Sequence, residues 1–137
     1  MARILGIDPG TKRCGVAVTN SGETMAFPRP ALSFSETIVD QVRMLVEEEF
    51  VAEVVVGRPL ALSGAITAST AFADELWQLL SEGLEVPVVQ CDERLTTTQA
   101  QRSLHETGAT IKGSRDRIDS ASAVVLLQHY IDARHGR

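Results

Sequence analysis

Apolar and polar positions along the chain follow two periods, one of two residues and one of three to four. Residues 4–8 and 14–19 are short apolar runs, and Pro9-Gly10-Thr11-Lys12-Arg13 between them is built of turn residues, which predicts an antiparallel hairpin. A third strand is expected at 24–27, with Pro28 and Pro30 marking it as an edge strand or as its exit. Ser33-Phe34-Ser35-Glu36 has the spacing of a capping box, and Ile38, Val42, Leu45 and Val46 follow at helical intervals, so a helix should end near Glu49. Val54-Val55-Val56-Gly57 is a β-branched run closed by glycine, the pattern of a buried strand. Residues 58–65 read as a loop and 67–80 as a helix, whose apolar face includes Ala71, Leu76, Leu79 and Leu80 and whose stop signal is Ser81-Glu82-Gly83. A strand is expected at 86–91. A second capping box, Thr96-Thr97-Thr98-Gln99, should open a helix ending at Gly108. Residues 110–117 form a basic, glycine-containing loop, and 118–133 a final helix, apolar on more than one side and therefore well buried.

The order is three strands, helix, strand, helix, strand, helix, helix. A hairpin followed by right-handed crossovers gives an α/β domain with a mixed sheet covered by helices. The 137 residues suit a single domain over 1–137, without repeat, linker or low-complexity segment. With 44% hydrophobic and only 4% aromatic residues, the core must be built from Val, Leu, Ile and Ala. The N-terminal segment lacks the features of a secretory signal, and no stretch has the length and apolarity of a bilayer span, so a cytoplasmic protein without membrane association is expected. Cys14 and Cys91 lack a metal-ligand neighbour and read as reduced core thiols.

The net charge of −5 argues mildly against nonspecific binding of nucleic acid. The distribution softens that objection. Glu47, Glu48 and Glu49, with Glu53 nearby, read as a solvated helix end. Lys12, Arg13, Arg58, Arg94, Lys112, Arg115 and Arg117 flank the segments with candidate chemistry and are candidate contacts for backbone phosphates. Lys112, Arg115 and Arg117 share the predicted loop and suit an electrostatic guide for a strand.

Three acids stand at predicted element ends. Asp8 ends the first strand, Glu93, next to Asp92, ends the last one, and Asp119 opens the final helix. If the first and fourth strands are neighbours, these acids converge on one rim. Clustered carboxylates oppose one another's ionisation. Mg²⁺ or Mn²⁺ removes that penalty, and two such ions about 4 Å apart can clamp a phosphodiester. Each acid also has a plainer use. Asp8 could begin the Pro-Gly turn, Glu93 could pair with Arg94, and Asp119 could face the helix dipole with Asp116 as N-cap. Gly10 and Gly15 could admit a phosphate or merely suit the turn. Trp77 reads as helix packing, Thr96 as a cap, and His105, His129 and His135 show no metal-site pairing.

Four segments together resemble the RuvX/YqgF family, RNase H-like proteins related to the RuvC Holliday junction resolvases. They are the run from Leu5-Gly6-Ile7-Asp8-Pro9-Gly10-Thr11 through Val18; Val55-Val56-Gly57-Arg58-Pro59-Leu60 continuing to Ser63-Gly64; Asp92-Glu93-Arg94-Leu95-Thr96-Thr97; and Arg117-Ile118-Asp119-Ser120-Ala121-Ser122-Ala123-Val124 continuing to Tyr130. The resemblance spans essentially the whole chain. It implies an RNase H-like fold, a mixed five-stranded sheet of order 3-2-1-4-5 with helices on both faces. It also implies that Asp8, Glu93 and Asp119 are the catalytic, metal-binding acids of a nuclease. The implied role is maturation of the 5′ end of pre-16S ribosomal RNA, with junction resolution on branched DNA as the alternative. The chain departs from the family pattern in the loop Ala61-Leu62-Ser63-Gly64-Ala65-Ile66, in Arg58 where an apolar residue is common, and in Cys14 in place of an aliphatic.

Two other classes compete. Asp8-Pro9-Gly10-Thr11 also looks like the first phosphate loop of the actin-like ATPases, but those close a second, similar domain over the nucleotide and this chain has no room for one. A noncatalytic nucleic-acid-binding factor is the third reading. A monomer and a homodimer are both compatible with the sequence.

Overall fold

The computed structural model describes residues 3–10, 12–95 and 115–136, with the backbone alone at 95 and 115–119. Five strands form one sheet in the order β3-β2-β1-β4-β5, as the family resemblance implies. They are β1 (Arg3–Asp8), β2 (Arg13–Thr19), β3 (Ala26–Ser33), β4 (Val51–Arg58) and β5 (Val88–Asp92). β1 runs antiparallel to β2 and β2 to β3, whereas β1, β4 and β5 are mutually parallel. The helices are α1 (Ile38–Glu48), α2 (Ala68–Gly83) and α3 (Arg115–Arg134), and a 3₁₀ turn, Glu93–Leu95, follows β5.

Strand alternation divides the core in two. Leu5 and Ile7 of β1, Val16 and Val18 of β2, and Val54 and Val56 of β4 pack with Ile38 and Val42 of α1 and Leu76 and Leu80 of α2. The alternate positions Ile4, Ala17 and Val55 pack on the other face with Ala123, Leu127 and Ile131 of α3. Gly6 shares that second face. A methyl group there would stand 2.9 Å from Leu127 Cβ, so its absence lets α3 lie close against β1.

α3 is fastened to the sheet by polar contacts as well. The β2–β3 register shifts between Cys14 and Val16. There the Val16 N–H donates to the buried Ser120 hydroxyl at 3.2 Å, and that hydroxyl donates to the Arg29 carbonyl at 2.7 Å. At the other end of β3 the Gln128 amide accepts from the Ala26 N–H (3.0 Å) and donates to the Thr24 carbonyl (3.0 Å).

Several elements differ from expectation. β3 does not stop before Pro28 but continues through Pro30 to Ser33. It is an edge strand, and Pro28 and Pro30 have the parity of Ala26, whose N–H turns to Gln128 rather than to β2. The two missing N–H groups therefore fall on the free edge. Ser33-Phe34-Ser35-Glu36 is no helix cap: Ser33 is still strand and α1 begins at Ile38. The Ser35 hydroxyl instead accepts from the Thr37 N–H in a local turn (3.3 Å). α2 starts as expected, with Thr67 and Thr70 capping each other's backbone, but runs on to Gly83. α3 begins at Arg115, so Arg115 and Arg117 are helical rather than in a loop, and Asp116 lies inside the helix instead of capping it. The helix expected at 96–108, His105 and Lys112 lie outside the described residues.

Glu47 and Glu48 are exposed at the end of α1, as expected, but Glu49 and Glu53 are not merely solvated. Glu49 accepts from Arg3 Nη1 (3.1 Å) and from Arg29 Nε and Nη2 (3.2 and 3.0 Å), joining β1 and β3. The Arg29 hydrogen bonds hold its carboxyl below the ordinary range. Glu53 accepts from the Tyr130 hydroxyl (2.6 Å) and from Arg134 Nη2 (2.7 and 2.9 Å), tying β4 to α3. No helix among the described residues is long and apolar enough to cross a membrane.

Candidate metal and nucleic-acid site

β1, β4 and β5 are parallel, so Asp8, Arg58 and Asp92 finish their strands at one edge of the sheet. Arg13 begins β2 at the same edge, because Asp8 pairs with Gly15 across the hairpin. Ligands of open α/β sheets collect at such carboxyl ends.

Alternation then decides which acids meet. Asp8 has the parity of Ile4 and Gly6 and belongs to the α3 face. On β5, Val89 and Cys91 join the α3 core while Val88 joins the opposite one. Asp92 therefore belongs to the α2 side, and Glu93, one residue on, returns to the α3 side. The outcome is a direct contact: the Asp8 and Glu93 carboxyls share a side-chain hydrogen bond. Two carboxyls so joined hold one proton between them. Burial raises both above their ordinary values. Glu93 is pushed up to about 9, because it is buried and lies beside the charges of Asp8 and Asp92.

Asp92 is occupied differently. Arg94 clasps it through Nε (2.9 Å) and Nη2 (2.6 Å), and this arginine holds the carboxyl low. Arg58 is likewise forked onto Asp74 of α2, at 3.0 and 3.2 Å, and Gln90 donates to the same carboxylate at 2.6 Å. Arg58 thus leans to the α2 side of the edge. Lys12 is exposed in the β1–β2 turn and Arg13 is half-buried. Gly10 admits no side chain because the Arg13 carbonyl lies against it, which is the turn role of that glycine. Cys14 and Cys91 are unbridged and both thiols are pushed up by burial, in keeping with core thiols. Trp77 packs against the α1–α2 core and donates its Nε1–H to the Val88 carbonyl (2.8 Å).

Asp119 occupies the second turn of α3, directly before Ser120. Leu127 lies over Gly6 and Ser120 reaches Val16, the partner of Ile7, so the N-terminal end of α3 points along β1 toward Asp8. The side chains of Asp119, Arg115 and Arg117 lie outside the described residues, as does Lys112. Among the described residues no group of three or more His, Cys, Asp or Glu gathers at a metal-binding distance, and the described pair is Asp8–Glu93.

Two residues of the site escaped the sequence reading. Ser120 anchors the helix that carries Asp119; its signal was a hydroxyl at the start of an otherwise apolar helix face. Gly57 lies beneath Glu93, and the strand-end pattern that explained it gave no reason to look further.

The model of the RuvX family, described as a Holliday junction resolvase, matches residues 2–133. The chain belongs to the RuvX family. Among relatives, a protein of Leifsonia xyli subsp. xyli named "Putative pre-16S rRNA nuclease" is 41% identical over 131 residues, covering 94% of this chain and 84% of that one. One of the same name from Mesomycoplasma hyopneumoniae is 30% identical and covers 98% and 96%. Among solved structures, T. thermophilus RuvC in complex with a Holliday junction substrate has a TM-score of 0.64 at 17% identity, over 99% of this chain and 97% of that one. The Fowlpox virus resolvase with Holliday junction DNA has a TM-score of 0.61 at 10% identity, over 96% and 98%. These likenesses establish for this RuvX chain the RNase H-like fold.

Proposed function

We propose that this RuvX chain is a divalent-metal-dependent nuclease that hydrolyses phosphodiester bonds, with the 5′ end of pre-16S ribosomal RNA as its substrate. The observation that carries this reading is the hydrogen-bonded Asp8–Glu93 pair at the carboxyl edge of the parallel strands. Two buried carboxyls that must share a proton are poorly satisfied by protein alone. Their hard oxygen donors fit Mg²⁺ or Mn²⁺, which would take the place of that proton. Asp8 and Glu93 would hold the ion or ions, with Asp119 joining them from α3. A divalent ion bound there supplies charge neutralisation at the phosphate and a lowered pKa for the attacking water.

The remaining residues bind and orient. Lys12 and Arg13 on one side of Asp8, and Arg58 and Arg94 on the other, border the edge along which a polynucleotide backbone would lie. Arg94 and Arg58 keep guanidinium edges oriented by Asp92 and Asp74, an arrangement that suits forked phosphate contacts. Lys112, Arg115 and Arg117 would extend the track past Asp119. We read residues 1–137 as one nuclease domain, and a ribosomal RNA precursor as substrate implies work in the cytoplasm.

The names of the relatives favour RNA. The description of the family model favours the second reading, junction resolution on DNA. A substrate panel separates them: single-stranded RNA, a pre-16S 5′ segment and a synthetic four-way junction, each with Mg²⁺ and with Mn²⁺. Cleavage of the pre-16S segment that needs metal and is lost in Asp8→Asn is the expected result. Full activity of the folded Asp8→Asn protein would overturn the metal-ligand reading, and exclusive cleavage of the junction would replace RNA by DNA.

A further inference from the structure

We propose that Gly57 is a positioning residue: by carrying no side chain, it leaves the space over β4 into which the Glu93 carboxyl folds against Asp8. The proposal rests on reading Asp8 and Glu93 as metal ligands. A methyl group at Gly57 would stand 2.7 Å from Glu93 Cδ and 2.9 Å from its Cγ and Oε1, and these three are the nearest atoms. Cβ contacts below 3.0 Å are essentially never seen, so something must give way.

The strand is badly placed to do so, since β4 lies between β1 and β5 in the sheet. Gly57 follows Val56, the partner of Ile7, and itself pairs with Cys91 on β5. Nor does the backbone need glycine here, because Gly57 is not among the residues with positive φ. What the position requires is empty volume. Gly6 is crowded within 3.0 Å by Leu127, Gly57 by Glu93 and Gly83 by Val39. At Gly6 and Gly83 the neighbour is aliphatic, which is packing. At Gly57 it is the carboxyl of a candidate ligand. Alanine would push that carboxyl off the strand and away from Asp8, and a ligand displaced by about 1 Å costs on the order of 100-fold in rate.

The test compares Gly57→Ala, Gly83→Ala and Asp8→Asn by urea unfolding in chelator, Mn²⁺ calorimetry, and steady-state cleavage of the substrate selected by the panel above. Gly57→Ala should weaken Mn²⁺ binding by about tenfold or more and lower kcat by about 100-fold, with KM within about threefold of wild type. Gly83→Ala should lose stability but keep Mn²⁺ affinity and kcat. A double-mutant cycle isolates the crowding in metal-free protein: Gly57→Ala should change the stability of the wild type yet be nearly neutral in a Glu93→Ala background. Wild-type Mn²⁺ affinity and kcat in Gly57→Ala, or an equal change of stability in both backgrounds, overturns the proposal. Retention of Mn²⁺ affinity and cleavage by Asp8→Asn would instead bring down the ligand reading on which it rests.

Discussion

The Asp8 and Glu93 carboxyls share a hydrogen bond although β1, which ends at Asp8, and β5, which leads into Glu93, are not neighbours: β4 runs between them. The bond spans β4 at the position where β4 carries glycine. It also makes the metal-free site a liability whose size depends on pH. In the unfolded chain Glu93 loses its proton near pH 4.5; in the folded, metal-free protein it holds it up to about 9. A raised carboxyl pKa favours the fold fully below the unfolded value, and that contribution is lost as pH climbs toward the folded one. The burial of Asp8 acts in the same direction. In chelator the melting temperature should therefore fall steadily between pH 5 and pH 9, and added Mg²⁺ or Mn²⁺ should restore more stability at the upper end, where less proton must be displaced. Thermal melts across that range, with and without metal, check this, and a metal effect that shrinks with rising pH would contradict it.

Substitution by the isosteric amides should separate stability from function. Asp8→Asn and Glu93→Gln each leave one carboxyl facing an amide whose N–H can donate to it, so no proton need be shared. Metal-free protein at pH 8 should melt higher in either variant than in the wild type. Cleavage should fall by more than about 100-fold, since even residues behind a metal ligand cost about 10–100-fold when changed. A variant that loses both stability and activity would point to a packing role for the carboxyl instead.

Much of this was legible in the chain, for identifiable reasons. The Ile4–Asp8 run, the β-branched Val54–Val56 run and the helical spacing after Ile38 are period signals, and they predicted β1, β4 and α1; the strand order came from the family resemblance. Period two also sorts Glu93 from Asp92 once the strand before them is located. The misplaced features are those in which distant partners overrule local pattern. Pro28 and Pro30 marked either an edge strand or its exit; β3 is an edge strand, and it runs through both prolines because their missing N–H groups fall on its free side. Ser33-Phe34-Ser35-Glu36 has cap spacing, but β2 holds Ser33 in the sheet through its pairing with Arg13. Glu49 and Glu53 looked solvated because Arg3, Arg29 and Arg134, which engage them, are remote in sequence. Gly57 could not be interpreted without knowing that Glu93 folds back over it.

The forked arginines should matter more to substrate than to the fold. Arg58 and Asp74 are 31% and 37% exposed, and Arg94 and Asp92 are 34% and 32% exposed. Pairs so open to solvent contribute about 0–1 kcal/mol. Arg58→Ala and Arg94→Ala should thus leave urea midpoints almost unchanged. If each guanidinium meets a phosphate, KM should rise severalfold at constant kcat, and the slope of log affinity against log salt should shrink by about 0.7 for a single strand. An unchanged salt slope would confine that arginine to its carboxylate partner.

Ser120 should show the opposite balance. Its hydroxyl is buried, accepts from the Val16 N–H and donates to the Arg29 carbonyl, and so satisfies two main-chain groups at the β2–β3 irregularity. Ser120→Ala leaves both without that partner, at a cost of about 1–3 kcal/mol for each group left unsatisfied in the interior. Ser120→Thr keeps the hydroxyl and should recover part of the loss, limited by the room for an added methyl. Because Asp119 is the preceding residue on the same helix, loosening this anchor should also reach the site. Ser120→Ala, measured where it is still fully folded, should bind Mn²⁺ more weakly than the wild type, with Ser120→Thr between them. A loss of stability with unaltered Mn²⁺ affinity would show that the anchor serves the fold and that Asp119 holds its place without it.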